Sequence, residues 1–213
     1  MEIDDLLKNI YVIHSPKLTE RRQGLSRDLQ KHTIKATWIE DFEPGQIGMG
    51  LLIRRWRNFR LRLAEISVYL KQEAVYRDMV AKGVDVALVL EDDAILGDDF
   101  KKRLSEYLMQ LPADFDVVFL GESCGARLPL TDNRYFARAS SCRSVSGYLV
   151  TQNCAGLFCK HLGRIDQPID LKLNVIIDSH GLNCYWSEPP LLGNGSEQGI
   201  YKHSLGIPWR QIV

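Results

Sequence analysis

Apolar positions along the chain follow two alternating rhythms. Short apolar-rich runs occupy residues 9–13, 36–39, 84–90, 116–120, 145–150 and 182–186. Their β-branched, leucine and aromatic content is that of buried strands. Between them, apolar residues recur every three or four positions, as on one face of a helix. Leu18, Leu25 and Leu29 form one such stripe, and Leu52, Trp56, Phe59, Leu63, Ile66 and Leu70 a longer one. Phe100, Leu104, Leu108 and Leu111 form a third, ended by Pro112. Ala155, Phe158 and Leu162 form a fourth, and Leu173 with Ile177 follows Pro168. Helix starts are predicted at Thr19, at Asp98 or Asp99, and at Thr151, whose side chains suit N-caps. The longer stripe leaves open one helix or two with a break near Ala64.

Strands alternating with helices predict an α/β domain with a mostly parallel sheet flanked by helices. We read residues 1–190 as one domain and 191–213 as a C-terminal loop or tail, either flexible or ordered over a site. In such sheets ligands sit beyond the carboxyl ends of the strands. Charge adds an exclusion. Lys+Arg and Asp+Glu both number 27, so there is no basic surplus for a nucleic-acid partner. No apolar run approaches the roughly 18 residues of a membrane span. The acidic start Met1-Glu2-Ile3-Asp4-Asp5 lacks a leader core, so a cytoplasmic location is expected. The five cysteines are odd in number and form no CxxC pair, which predicts free thiols in a reducing compartment. The histidines are widely separated, and no GxSxG, GxGxxG or P-loop motif occurs.

The strand at 84–90 runs directly into Glu91, Asp92 and Asp93. On extended backbone, residues two apart share a face, which would bring Glu91 and Asp93 together. Two neighbouring carboxylates repel unless a cation lies between them. A hard divalent ion, Mn²⁺ or Mg²⁺, answers that repulsion and keeps open positions for substrate phosphates. The alternative is a solvated acidic turn. The run Arg54-Arg55-Trp56-Arg57-Asn58-Phe59-Arg60 also has two readings. It is the solvent side of an amphipathic helix, or a peripheral contact with an anionic membrane or acceptor through Arg54, Arg55, Arg57 and Arg60. Asp170 and Asp178 are lone acids, each a general base or a helix cap.

These stretches together resemble glycosyltransferase family 25, the bacterial lipooligosaccharide and capsule sugar transferases, which includes the collagen galactosyltransferases. The resemblance runs from residue 9 to about residue 196. Ile10-Tyr11-Val12-Ile13 with Thr19-Glu20-Arg21-Arg22 is similar to an opening strand followed by E-R-R. Leu88-Val89-Leu90-Glu91-Asp92-Asp93-Ala94 is similar to I-L-E-D-D-A, and Asp116 to Gly121 resembles D-x-x-x-L-G. Leu63-Ala64-Glu65-Ile66, Gly147-Tyr148-Leu149-Val150, Pro168-Ile169-Asp170 and Glu188-Pro189-Pro190-Leu191 match further family pieces in order. Two places depart from the pattern. His14-Ser15 stands where Asn-Leu is usual, and Lys71-Gln72 stands where Ser-His is usual.

The resemblance implies a GT-A-like fold and inverting transfer of a hexose, galactose or a relative, from a UDP-sugar. The acceptor would be a glycan or lipid-linked oligosaccharide in surface polysaccharide or lipooligosaccharide biosynthesis. It implies Mn²⁺ or Mg²⁺ on Asp93 and Glu91, and donor contacts from His14, Arg21, Glu91 and Asp92. A carboxylate opposite would deprotonate the acceptor, with Asp170 first, then Glu122 and Asp178. The Lys71-Gln72 departure leaves a second reading, a non-catalytic copy that binds nucleotide-sugar or glycan. A metal-dependent phosphatase or nuclease would need more acids or histidines near the first cluster.

Overall fold

All six strands read from the sequence form, and they assemble into one sheet. The structure, a computed structural model, describes residues 2–58, 60–121, 127–129, 133–139 and 146–202. In chain order the elements begin with α1 (Ile3–Leu6), β1 (Ile10–Ile13), α2 (Thr19–Lys31), β2 (Thr37–Ile39), α3 (Met49–Arg55) and α4 (Leu63–Lys82). Next come β3 (Val86–Glu91), β4 (Ala94–Leu96), α5 (Phe100–Met109), β5 (Val117–Phe119), β6 (Arg127–Pro129) and β7 (Phe136–Ala139). The chain continues with β8 (Gly147–Thr151), α6 (Gln152–His161), α7 (Ile169–Ser179), β9 (Cys184–Ser187) and β10 (Leu192–Asn194).

The main sheet has eight strands in the order β2-β1-β3-β8-β5-β9-β7-β6. β1 pairs in parallel with β2 and β3, and β5 with β9. β8 runs antiparallel between β3 and β5, and β7 runs antiparallel to β9 and β6. Six of the eight strands therefore point one way, as a mostly parallel sheet requires. β4 and β10 form a separate antiparallel pair.

Strand alternation divides the core into two layers. On one face Tyr11, Ile13, Val89, Phe119 and Trp186 pack against α4, α6 and α7. On the other, Ile10, Val12, Leu88, Leu90 and Tyr185 pack against α1, α2 and α5. The result is a sheet covered on both sides, which is how parallel strands remain buried. Among the described residues no helix is long and apolar enough to cross a membrane. Cys154, Cys159 and Cys184 are free thiols, and burial pushes Cys184 up to about 12. Cys124 and Cys142 lie outside the described residues.

Two expected helix boundaries need correction, and a third is met in position only. The long stripe is split between α3 and α4, and the break spans residues 56–62 rather than lying near Ala64. Arg57 N–H bonds Ile165 O there, so the chain leaves the helix to bridge toward the segment before α7. Thr19 is the first helical residue rather than the cap, and the preceding Leu18 offers no side-chain cap. Asp99 occupies the N-cap of α5 without a side-chain bond, and Asp98 pairs with Lys31 instead. Thr151 does cap α6, accepting from Cys154 N–H at 3.3 Å. α4 is unusual in carrying buried polar residues, with Ser67, Lys71, Gln72 and Glu73 all below 5% exposed.

Candidate active site

β3 ends at Glu91, whose amide donates to Ser146 O at 2.9 Å. The chain then turns through Asp92 and Asp93 and enters β4. Glu91 and Asp93 are therefore brought together by a turn, not by extended backbone. This turn lies beside the carboxyl end of β1, since Glu91 pairs with Ile13 in register. It is not a solvated acidic loop, because Asp92 is 6% and Asp93 5% exposed.

The three carboxylates have separate environments. Asp92 Oδ2 accepts from His14 Nδ1–H at 2.8 Å and from Ser15 N–H at 3.4 Å. Its Oδ1 accepts from Arg21 at 2.8 Å. Burial alone would raise the Asp92 carboxyl, but these hydrogen bonds and the Arg21 charge outweigh it and hold it below its ordinary value. Asp93 Oδ2 accepts from Ser196 Oγ and lies 3.5 Å from the same guanidinium. Its Oδ1 is buried with no hydrogen-bond partner among the described residues. Burial pushes Asp93 up despite Arg21 and Ser196. Glu91 is raised well above its ordinary value by burial, then by the Asp93 and Asp92 charges, and further by Asp170. Arg21 is thus the cation that the adjacent carboxylates demand, but it answers Asp92 better than the Glu91–Asp93 pair.

A further strap closes the site. Arg21 donates to Ser196 Oγ at 2.9 Å and to Lys202 O at 2.7 Å. Gly195 N–H donates to Asp93 O at 2.8 Å. Tyr201 packs so closely on Gly24 of α2 that an added Cβ would lie 2.0 Å from its hydroxyl. The segment after Pro190 therefore folds back over the acidic turn as far as Lys202, with β10 inside it. Ser196 escaped the sequence reading because a lone serine in a glycine-rich stretch carries no spacing signal. Ser146, buried beside Glu91, stands in a serine-rich stretch and carries no spacing signal either.

Beneath the turn, Lys71 Nζ donates to Glu43 Oε1 at 2.6 Å and to His14 O at 2.7 Å. Glu43 Oε2 accepts from Ser15 Oγ at 2.9 Å. The two places where the sequence departs from the family pattern are thus in contact. Gln72 Oε1 accepts from the hydroxyls of Tyr76 and Tyr148, at 3.2 and 3.3 Å.

Asp170 sits in the first turn of α7, near enough to act on Glu91 by its charge. Its Oδ1 accepts from Leu171 N–H at 2.8 Å, but Pro168 holds the N-cap position, so Asp170 is an acidic first-turn residue and not the helix cap. Asp178 is exposed near the far end of the helix, about 12 Å along its axis. Glu122 lies outside the described residues. Of the arginine run, Arg55 is no surface ligand. It donates to Leu162 O at 2.6 Å and Gly163 O at 3.1 Å, and pairs with buried Glu73. Arg54, Arg57 and Arg60 are exposed, together with Met49 and Ile53, at 69% and 70%. The solvent side of α3 is therefore not purely polar. Phe59 is outside the described residues.

A divalent cation can be tested against this donor set. Asp92 is saturated by His14, Ser15 and Arg21, which removes it as a ligand. The orphaned Asp93 Oδ1 and the raised Glu91 carboxyl are what a missing positive charge would leave. Among the described residues no group of three or more His, Cys, Asp or Glu is arranged as a metal cage. Two carboxylates fit a cation that completes its shell with substrate phosphates and water, as Mg²⁺ commonly does.

The carboxylate turn thus stands at the edge of the α/β sheet where ligands of such folds bind. Residues 7–129 match glycosyltransferase family 25, described as an LPS biosynthesis protein, and the chain belongs to that family. It is a glycosyltransferase by family. No curated protein matches the sequence. Among solved structures, the chain is similar to a protein from STIV at 14% identity and TM-score 0.45, covering 86% of this chain and 81% of that one. It is similar to a glycosyltransferase involved in glycosylation of the major capsid of PBCV-1 at 9% identity and TM-score 0.40, covering 72% and 64%. It is also similar to UDP-glucose pyrophosphorylase complexed with UDP-glucose, at 8% identity and TM-score 0.48, covering 84% and 89%. All three scores lie below 0.5, and nothing about function rests on them.

Proposed function

We propose that this glycosyltransferase moves a hexose, galactose or a close relative, from a UDP-sugar to a hydroxyl of a glycan or lipid-linked acceptor. The transfer would invert the anomeric carbon and serve surface polysaccharide or lipooligosaccharide assembly. What supports the reading is the buried acidic turn after β3, where Asp93 Oδ1 has no hydrogen-bond partner among the described residues, together with Asp170 in the first turn of α7 as a second carboxylate. Inversion needs two such sites on opposite sides of the sugar: one for the leaving diphosphate, one to accept the acceptor's proton. Asp170 takes that proton as the acceptor oxygen bonds to the anomeric carbon and the bond to the diphosphate breaks. Arg21 and His14 hold Asp92 rigid, and so fix the turn that carries Asp93. A divalent cation held by Asp93 and Glu91 would neutralise charge on the departing diphosphate.

A thermal-shift screen of UDP-, GDP- and CMP-sugars with and without Mn²⁺ tests this reading, because ligands of the native state raise its apparent stability. A shift with UDP-hexoses that requires Mn²⁺ is expected. A shift with another nucleotide only, or with none, rejects the donor. A binding-only copy is the second reading, favoured by Lys71-Gln72 in the place of Ser-His. UDP binding in calorimetry without product across sugar acceptors would select it.

The same proposal includes a peripheral contact at the inner face of the membrane. What supports it is α3 with the segment that follows it, where exposed Met49, Ile53 and Arg54 of the helix precede exposed Arg57 and Arg60. Apolar side chains flanked by arginines suit an anionic headgroup layer.

A further inference from the structure

Lys71 is 2% exposed, on a helix whose other buried residues are mostly apolar. Its ammonium donates to Glu43 Oε1 and to the carbonyl of His14. Glu43 is 6% exposed, and its other oxygen takes the Ser15 hydroxyl. Hydrogen bonds from Lys71 and Ser15 hold its carboxyl below its ordinary value although burial would raise it. So one buried ion pair grips both residues of the chain that leaves β1. Those two residues in turn grip Asp92: His14 through its ring and Ser15 through its amide, both on Oδ2. Asp92 is flanked by Glu91 and Asp93. Three bonded steps therefore link the middle of α4 to the acidic turn, with every link buried or nearly so.

Stability does not account for this arrangement. A buried ion pair carries a desolvation cost that apolar residues of similar volume would avoid, and such replacements are often neutral or stabilising. What an ion pair does supply is direction, because its hydrogen bonds fix where the attached backbone lies. Lys71 at 2% and Glu43 at 6% exposure offer almost no surface to a ligand at the turn. They act through His14 and Ser15.

We propose that Lys71 and Glu43 are positioning residues: a buried clamp on His14 and Ser15 that fixes Asp92, and with it the spacing of Glu91 and Asp93. The proposal rests on reading that turn as the donor site. Partners one shell out from a ligand-holding carboxylate commonly change affinity or activity by about 10–100-fold when removed.

The test is the double variant Lys71→Met/Glu43→Leu, which removes the pair without leaving a lone buried charge. Three readouts are taken: the thermal midpoint, amide hydrogen exchange, and calorimetric affinity for Mn²⁺ with UDP. The clamp predicts a midpoint unchanged or raised. It predicts exchange at least about tenfold faster at the amides of residues 14–15 and 91–93, with β5 and α6 unaffected. It also predicts Mn²⁺·UDP affinity weaker by about 10–100-fold. Unchanged exchange at those amides overturns the proposal. So does exchange that rises uniformly through the molecule as the midpoint falls, since that marks a merely structural pair. Should the double variant not fold, Ser15→Ala carries the same local test, with faster exchange at 91–93 expected and no change overturning it. Failure of the wild type to bind Mn²⁺·UDP would refute the donor reading, while the exchange arm still decides the clamp.

Discussion

Replacing Arg21 by Met removes the guanidinium that, among the described residues, bonds the acidic turn, while keeping the stem that packs inside it. Arg21 is 6% exposed and donates to Asp92 Oδ1, Ser196 Oγ and Lys202 O at 2.7–2.9 Å. Removing one partner of a buried, hydrogen-bonded pair costs about 3–5 kcal/mol. For 213 residues the unfolding entropy is roughly 450 cal/mol/K, so the midpoint should fall by about 7–11 °C. The loss should depend on pH with a definite sign. Asp92 is held below its ordinary value in the folded protein. Its stabilising contribution is complete above the unfolded value near 4, and is lost as pH falls through the lower folded value. In Arg21→Met the carboxylates lack their cation and rise, so the variant weakens further as pH increases. The gap between wild type and variant therefore widens from acidic pH toward neutrality. Urea unfolding followed by circular dichroism at pH 4, 5 and 7 measures it directly, provided the slope with denaturant is unchanged. A loss under about 1 kcal/mol that is the same at all three values would refute the electrostatic reading of this site.

Three further outcomes follow from particular contacts. Asp170→Asn should lower kcat by about 10²–10⁴-fold with the donor KM changed only a few-fold, as expected for a lost general base; an unaltered kcat would exclude Asp170. Gly24→Ala places a methyl 2.0 Å from the Tyr201 hydroxyl and should unseat the strap, making residues 195–202 sensitive to limited proteolysis. Proteolysis no faster than in the wild type would show that the strap is not held there. Arg54→Gln/Arg57→Gln/Arg60→Gln should reduce sedimentation with vesicles of phosphatidylglycerol and phosphatidylcholine about a hundredfold, at about 1 kcal/mol per arginine, and a wild type that ignores such vesicles contradicts the contact.

The sheet was legible because its strands are short apolar runs, and β3 in particular runs buried from Ala87 to Leu90. Period alone could not separate α3 from α4, because the bridge at 56–62 keeps apolar residues at helical spacing while the backbone departs to meet Ile165. The acidic turn was legible as chemistry, since three adjacent acids after a buried strand demand a counter-charge. The identity of that counter-charge was only half visible: the resemblance makes Arg21 a donor contact, and the fold also bonds it to Asp92 and sets it near Asp93. Glu43 and Lys71 lie 49 and 21 residues from Asp92, and Ser196 lies 103 residues from Asp93, and no local pattern links positions that only the fold brings together. The departures at His14-Ser15 and Lys71-Gln72 looked independent in one dimension. In three, His14, Ser15 and Lys71 join through Glu43 in one hydrogen-bonded group.

The claim that the acidic turn is the donor site is tested most directly by UDP release from UDP-galactose in the presence of Mn²⁺, comparing wild type with Asp93→Ala. Loss of a carboxylate that holds the leaving group's counter-ion should slow release by roughly a hundredfold or more while the fold persists. Release by the variant at the wild-type rate would contradict the assignment of Asp93.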